Sequence, residues 1–217
     1  HAPNLRLRGA MLATSLAEHF RAQGRQVLLI MDSLTRVAHA SREMALLLGE
    51  PGAARGYPPS ALSTITKLVE RAGNSAASGG SITGLYTVLA DGDAQDDPVV
   101  DTARAILDGH IALSRDLAQR GQYPAIDIAA SLSRVMSDIV NSGHLALARE
   151  FRALIAAYEA NRDLVLMGAY RPGADPLLDR AIAIHDQLVG FLTQPARSIV
   201  PLEASIAALT ALLADAG

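Results

Sequence analysis

Leu5, Leu12, Leu16 and Phe20 recur at helical spacing between Pro3 and Gly24, which predicts an amphipathic first helix opened by proline and stopped by glycine. Residues 27–31 (VLLIM) then run without a polar break up to Asp32, and an apolar run lacking alternation suits a strand covered on both faces. A helix followed by such a strand implies α/β layers. Helices are expected over 33–48 and 60–71, divided by the breaker-rich stretch 49–59, and the small polar stretch 73–80 reads as a loop. A strand with β-branched and aromatic content is expected over 81–89, an acidic loop over 91–98, and a helix over 100–107. A short strand over 110–113 and a short helix over 114–120 complete the first part.

Beyond Met136 the strand runs vanish and three or four helical patterns fill the remainder. Leu147, Phe151, Leu154, Ile155 and Tyr158 form one apolar stripe. Asp175 followed by Pro176 is a helix cap with proline in the first turn, opening a helix that turns Leu178, Ile182, His185, Leu188, Val189 and Leu192 inward. Leu202, Ile206, Leu209 and Leu213 make the last stripe. A domain boundary is expected near residue 140, with an α/β part over 1–140 and an all-helical part over 141–217. No repeat of solenoid period is present.

Composition narrows the class. The 217 residues are 50 % hydrophobic and 19 % charged with mean hydropathy +0.21, which fits a packed globular body and excludes a disordered chain. Nineteen basic against 22 acidic residues leave a formal charge of -3, so no overall positive field would gather nucleic acid or anionic lipid. Cysteine is absent, which excludes disulfides, thiolate metal sites and a cysteine nucleophile, and fits a reducing compartment. The apolar runs fall far short of the ~20 residues that cross a bilayer. His1 is followed by no basic and apolar leader, so the start reads as a fragment boundary and the chain as cytoplasmic.

Asp32 is the first candidate for chemistry. An apolar strand delivers its carboxylate at the C-terminal end, where open α/β sheets place their ligands, and in phosphate-handling enzymes such a group holds Mg²⁺. The alternative is that Asp32 only caps the helix that follows. A complete P-loop enzyme would contain Gly-x-x-x-x-Gly-Lys-[Ser/Thr], but the single lysine, Lys67, lies in a helical pattern without a glycine frame, and the Gly-rich loop 73–80 has no lysine. No His-Glu-x-x-His pattern occurs among the six histidines. Asp91, Asp93, Asp96 and Asp97 lack the spacing and terminal glutamate of a calcium loop and read as a solvated loop.

The strings Met31-Asp-Ser-Leu-Thr-Arg36, Arg55-Gly-Tyr-Pro-Pro-Ser60, Leu68-Val-Glu-Arg-Ala-Gly73, Tyr86-Thr-Val-Leu89, Ala105-Ile-Leu-Asp-Gly-His-Ile111 and Tyr123-Pro-Ala-Ile-Asp127 through Ser133-Arg134 occur in order. Together they resemble the flagellum-specific export ATPases. That family is close to the virulence type III secretion ATPases and similar, more distantly, to the catalytic subunits of rotary ATP synthases. The match runs from about Leu5 to about Asp186. Asp101-Thr-Ala-Arg-Ala-Ile106, Asn161-Arg-Asp-Leu-Val165 and Ala174-Asp-Pro-Leu-Leu-Asp179 favour the flagellar branch.

The resemblance implies the C-terminal portion of a RecA-like P-loop ATPase core, from the Walker B strand onward, followed by a small all-helical domain. It assigns Asp32 as the Walker B aspartate ordering Mg²⁺ through water, and Arg134 as an arginine finger reaching into the neighbouring subunit's ATP site. Tyr123 matches the residue that packs the adenine ring. Tyr86 falls near the nucleotide or in interior packing, and Arg36 touches phosphate or pairs with a carboxylate. The implied setting is a hexameric ring at the cytoplasmic face of a secretion apparatus. Its partners are stalk, regulator and gate proteins, export substrates and their chaperones, with membrane association through the apparatus only. The Walker A loop and the water-polarising glutamate lie upstream in the family, so these residues alone are expected to hydrolyse no ATP. A virulence-system ATPase, or a non-catalytic binding module for substrates and chaperones, remains the alternative.

Overall fold

The computed structural model describes residues 2–90 and 97–214. Two compact units divide the chain, the first ending at Leu107 and the second opening at Asp108.

In the first unit, α1 (Pro3–Ala22) leads to β1 (Gln26–Met31), α2 (Leu34–Leu47), a 3₁₀ turn at Ala54–Gly56, α3 (Pro59–Val69), β2 (Gly73–Asn74), β3 (Ser81–Tyr86) and α4 (Pro98–Ile106). The sheet order is β1-β3-β2, with β1 and β3 parallel from Gln26↔Ser81 to Met31↔Tyr86. β2 is antiparallel to β3, so the Gly-rich stretch contributes two paired residues, Gly73 and Asn74, rather than loop alone. At the start of β3, Gly80 runs against the end of α1; a Cβ there would lie 2.2 Å from the Arg21 carbonyl oxygen, a contact that only glycine permits.

One core joins Met31 to Leu34, Val37 and Ala38 of α2, Ala61, Ile65 and Leu68 of α3, and Val99 and Ala103 of α4. A second gathers Ala17, Leu29 and Ile82 between α1 and the sheet. Among the described residues nothing covers the opposite face of the sheet, where Leu28 is 59 % and Ile30 66 % exposed. The expectation of a strand covered on both faces is therefore corrected: β1 is an edge strand covered on one side. The predicted apolar stripe of α1 is likewise outward, since Leu5, Leu12, Leu16 and Phe20 are exposed while Thr14 and Ala17 are buried. The small Thr14 and Ala17 lie buried while the large apolar residues of α1 are uncovered among the described residues.

Asp97 also departs from expectation. It is buried, and its Oδ1 accepts from Val99 N at 2.8 Å and Val100 N at 3.2 Å, capping α4. It is a helix cap and not part of a solvated acidic loop; Asp91, Asp93 and Asp96 lie outside the described residues.

The second unit holds β4 (Gly109–Leu113), α5 (Arg115–Gln119), β5 (Ile126–Ser133), α6 (Met136–Ile139), α7 (Ser142–Leu166), α8 (Pro176–Ala183), α9 (His185–Leu192) and α10 (Leu202–Ala214). β5 has no counterpart in the sequence reading, although Ile126, Ile128 and Leu132 alternate there with smaller and polar residues. It pairs antiparallel with β4 and bulges, since Ala112 faces Asp127 while His110 faces Leu132. Ser131 Oγ accepts from Ala112 N at 2.9 Å and fills the missing rung. The helix predicted from Asp175 onward breaks at Ile184 into α8 and α9. Phe151 and Leu154 of α7, Ala181, Leu188, and Leu209 and Leu213 of α10 form the helical core. Phe151 meets Phe191 edge to face at 5.3 Å between ring centroids, a geometry worth about 0.5–1.5 kcal/mol beyond area burial.

Candidate nucleotide site

Asp32 follows β1 directly, at the C-terminal edge of the parallel pair. Because Met31 and Tyr86 are in register, the next residues of the two strands, Asp32 and Thr87, lie side by side. Thr87 Oγ1 donates to Asp32 Oδ1 at 2.8 Å. The backbone reinforces this junction, with Thr87 N donating to Met31 O at 3.1 Å and Leu34 N to Thr87 O at 2.9 Å. Thr35 Oγ1 accepts from Leu89 N at 2.8 Å and donates to Leu89 O at 3.2 Å. The start of α2 is thereby stitched to the continuation of β3.

The cap of α2 is Ser33, whose Oγ accepts from Arg36 N at 3.3 Å. This resolves the alternative for Asp32, whose carboxylate is exposed and turned to Thr87 and not to the helix amides. A single exposed carboxylate beside one hydroxyl suits Mg²⁺, which keeps several waters and takes one or two carboxylates together with substrate phosphates. It does not suit an all-protein metal cage, and among the described residues no group of three or more metal-ligating side chains exists.

Arg36 is exposed one turn beyond Ser33 and forms no ion pair among the described residues, so the expected pairing with a carboxylate is not present. Tyr86 packs inward against both cores of the first unit, its hydroxyl buried without a hydrogen-bond partner. Burial pushes the Tyr86 phenol upward, opposed by the Arg71 charge.

Tyr123 and Arg134 belong to the second unit and flank β5. Tyr123 is 56 % exposed, and its carbonyl accepts from Gln194 N at 2.9 Å, fixing the turn to the chain after α9. Arg134 is exposed just past Ser133, and its N donates to Asp108 O at 2.7 Å. Gly109, paired with Ser133, makes this possible, since a Cβ there would meet Leu132 O at 2.4 Å. Leu113 pairs with Ile126 and Gly109 with Ser133, so Tyr123 and Arg134 stand beyond opposite ends of the ladder. An aromatic wall and a guanidinium so placed do not converge on one point.

Thr87, Gly109 and Gln194 are the positions that sequence reasoning did not single out. Thr87 carries no signal in the sequence, because it meets Asp32 only through the parallel register of β1 and β3.

The fold and this junction define the class, an α/β nucleotide-binding core followed by a helical domain. The model of the ATP synthase alpha/beta family, nucleotide-binding domain, matches residues 1–133, and that of the T3SS EscN ATPase C-terminal domain matches residues 140–211. The chain belongs to the ATP synthase alpha/beta family through its nucleotide-binding domain, and its C-terminal third matches the T3SS ATPase domain. It is 57 % identical over 193 residues to the flagellum-specific ATP synthase of Salmonella typhimurium, covering 89 % of this chain and 42 % of the relative. The assembled ATPase EscN of the enteropathogenic E. coli type III secretion system superposes with TM-score 0.93 at 44 % identity, covering 97 % of this chain and 51 % of that one. EscN in complex with its central stalk EscO superposes with TM-score 0.87 at 44 % identity, covering 97 % and 50 %. The chain thus spans about half the length of the relatives it matches.

Proposed function

We propose that this chain is the C-terminal part of an ATP-hydrolysing motor that energises protein export, with the flagellar apparatus as its setting. The observation that carries the reading is Asp32, presented at the tip of β1 with one oxygen held by Thr87 and the carboxylate open to solvent. Mg²⁺, when bound with ATP, would neutralise the β- and γ-phosphates. Asp32 would orient the ion's water shell, and Thr87 would hold the carboxylate in one rotamer. Tyr123 would offer its exposed ring to adenine with little base specificity. Arg134, at the far end of the ladder, would reach a neighbouring copy's nucleotide in a hexameric ring, where its fixed charge and planar fork suit phosphate oxygens. Arg36 would contact phosphate; Tyr86 would shape the wall beneath the site without touching the base.

The 57 % identity to the Salmonella typhimurium relative supports the flagellar branch, while a flagellar and a type 3 secretion relative stand level at 48 %, so the virulence branch is the alternative setting. The assembled state of EscN and its stalk complex support a ring with a central stalk for this protein too. Regulator and gate proteins, export substrates and chaperones would be further partners at the cytoplasmic face of the apparatus. Among the described residues no helix is long and apolar enough to cross a membrane, so association would be through the apparatus. The division of labour follows a boundary near residue 140, with nucleotide chemistry before it and recognition by residues 141–217 after it. The second reading, a binding module independent of hydrolysis, rests on the separate core of α7–α10. Measuring ATP turnover and chaperone capture by the full-length protein with Asp32→Asn decides between them. Loss of turnover with capture intact supports the motor with a separable module, and unchanged turnover rejects the assignment of Asp32.

A further inference from the structure

Two adjoining cavities of about 240 and 340 Å³ open in the second unit and share Arg120, Gln122, Glu159, His185 and Val189 as walls. The first is lined on its apolar side by Leu117, Ile126, Ile155 and Leu192. The second adds Tyr158 and Arg162. Tyr158 and His185 stack face to face, 3.5 Å between centroids and 11° from parallel, and make a rigid flat side.

The charges lining this space are unequal. Arg120 is satisfied, lying 3.3 Å from Asp116 and 3.9 Å from Glu159. Asp127 accepts from Ala130 N at 2.9 Å. Arg162 is half-buried and forms no hydrogen bond or ion pair among the described residues. A partly desolvated guanidinium beside apolar walls is complementary to an anion joined to a flat apolar body. Concave, mostly apolar sites with a few convergent polar groups are where proteins take small ligands.

We propose that these adjoining cavities bind a planar aromatic carboxylate, its ring among Leu117, Ile155 and Val189 and its carboxylate on Arg162. The site is distinct from the nucleotide junction at Asp32 and needs no hydrolysis. It is nevertheless connected to the proposed adenine wall, because Gln122 lines the cavity and Tyr123 follows it, anchored to Gln194 beyond α9. A bound ligand would therefore register at Tyr123; this coupling, unlike the binding, rests on the assignment of Tyr123 above.

The probe is 2-naphthoate, titrated into the 217-residue chain and followed by methyl NMR and calorimetry, with neutral 2-naphthylmethanol as its comparison. Saturable shifts are expected at Leu117, Val189 and Leu192, with the carboxylate binding roughly tenfold tighter than the alcohol, the value of one charge-assisted contact. Arg162→Ala should bring naphthoate down to the alcohol's affinity and leave the alcohol unchanged, whereas Val189→Trp should remove both. Equal affinities for the two ligands, shifts confined to exposed leucines such as Leu28, or an unaffected Arg162→Ala variant would overturn the proposal. If Val189→Trp fails to fold, the two ligands measured on the parent and Arg162→Ala still decide it. Binding that survives Asp32→Asn separates this site from the motor reading, since each can fail without the other.

Discussion

The Thr87 hydroxyl lies 2.8 Å from the Asp32 carboxylate and donates to it across the end of the parallel pair. Both residues extend strands whose register is set six residues deep by the β1–β3 ladder, so the carboxylate is oriented by the sheet itself. A hydrogen bond to a charged group contributes about 1.5–3 kcal/mol. Thr87→Val in the full-length protein should therefore lower turnover by roughly ten- to a hundredfold and raise the Mg²⁺ concentration needed for half-maximal rate. Thr87→Ser should restore both. Steady-state kinetics at varied Mg²⁺ checks this, and a Thr87→Val enzyme with unchanged Mg²⁺ dependence would count against a positioning role.

Arg134 acts on a neighbour in this reading, which gives a test by complementation. Arg134→Ala in the full-length protein should reduce turnover by roughly 10³- to 10⁵-fold, the range for arginine fingers. Mixing Arg134→Ala subunits with Asp32→Asn subunits should recover activity, because a mixed interface can unite an intact carboxylate with an intact guanidinium. If activity stays absent in mixed rings shown by mass spectrometry to contain both subunits, the guanidinium does not act in trans. Gly109→Ala should behave as a weaker Arg134 lesion, since the added Cβ would push on Leu132 O beside the ladder end.

The helices and β1 were legible because each carries a strong local signal. Pro3 and Pro176 sit in first turns, Gly24 stops α1, and Asp175 caps α8. What escaped depended on partners distant in sequence. β5 carries a period-two pattern in Ile126, Ile128 and Leu132, but its bulged register is set by its pairing with β4. The outward face of α1 escaped because periodicity identifies a stripe without saying whether anything covers it. Asp97 was misjudged by its acidic neighbours, although Pro98 after it is the ordinary mark of a cap. Asp32 was legible from its position after an apolar run, and Thr87 was not, because only parallel register joins them.

The 217 residues contain no Gly-x-x-x-x-Gly-Lys-[Ser/Thr] frame, and preorganised donors around the phosphates account for most phosphoryl-transfer catalysis. The isolated chain should show no ATP hydrolysis above background and bind Mg-ATP no tighter than about millimolar, near 4 kcal/mol of binding free energy. Calorimetry that returns micromolar affinity would contradict this.

The bare sheet face makes a separate prediction for the same sample. Leu28 and Ile30 are exposed on an edge strand with one hydrogen-bonding side unpaired among the described residues, which favours strand-to-strand association. Sedimentation velocity should show self-association that grows with concentration, and Ile30→Lys should weaken it. A strictly monomeric chain at high concentration would reject the idea.

His185 gives the second unit a pH dependence whose sign follows from its surroundings. Burial against Tyr158 pushes the imidazole below its ordinary value, helped by Arg162 and opposed by Asp186 and Glu159. The unfolded chain therefore binds the proton more readily, so lowering the pH favours unfolding. The stabilising contribution is complete above the unfolded value near 6.5 and is lost as pH falls from there towards the depressed folded value. Urea titrations between about pH 5 and 7 should show the parent losing stability on acidification, whereas His185→Phe, which keeps a ring against Tyr158, should lose less over the same interval. Parallel curves for the two proteins would place the titration elsewhere, and a parent that gains stability on acidification relative to His185→Phe would reverse the assigned sign.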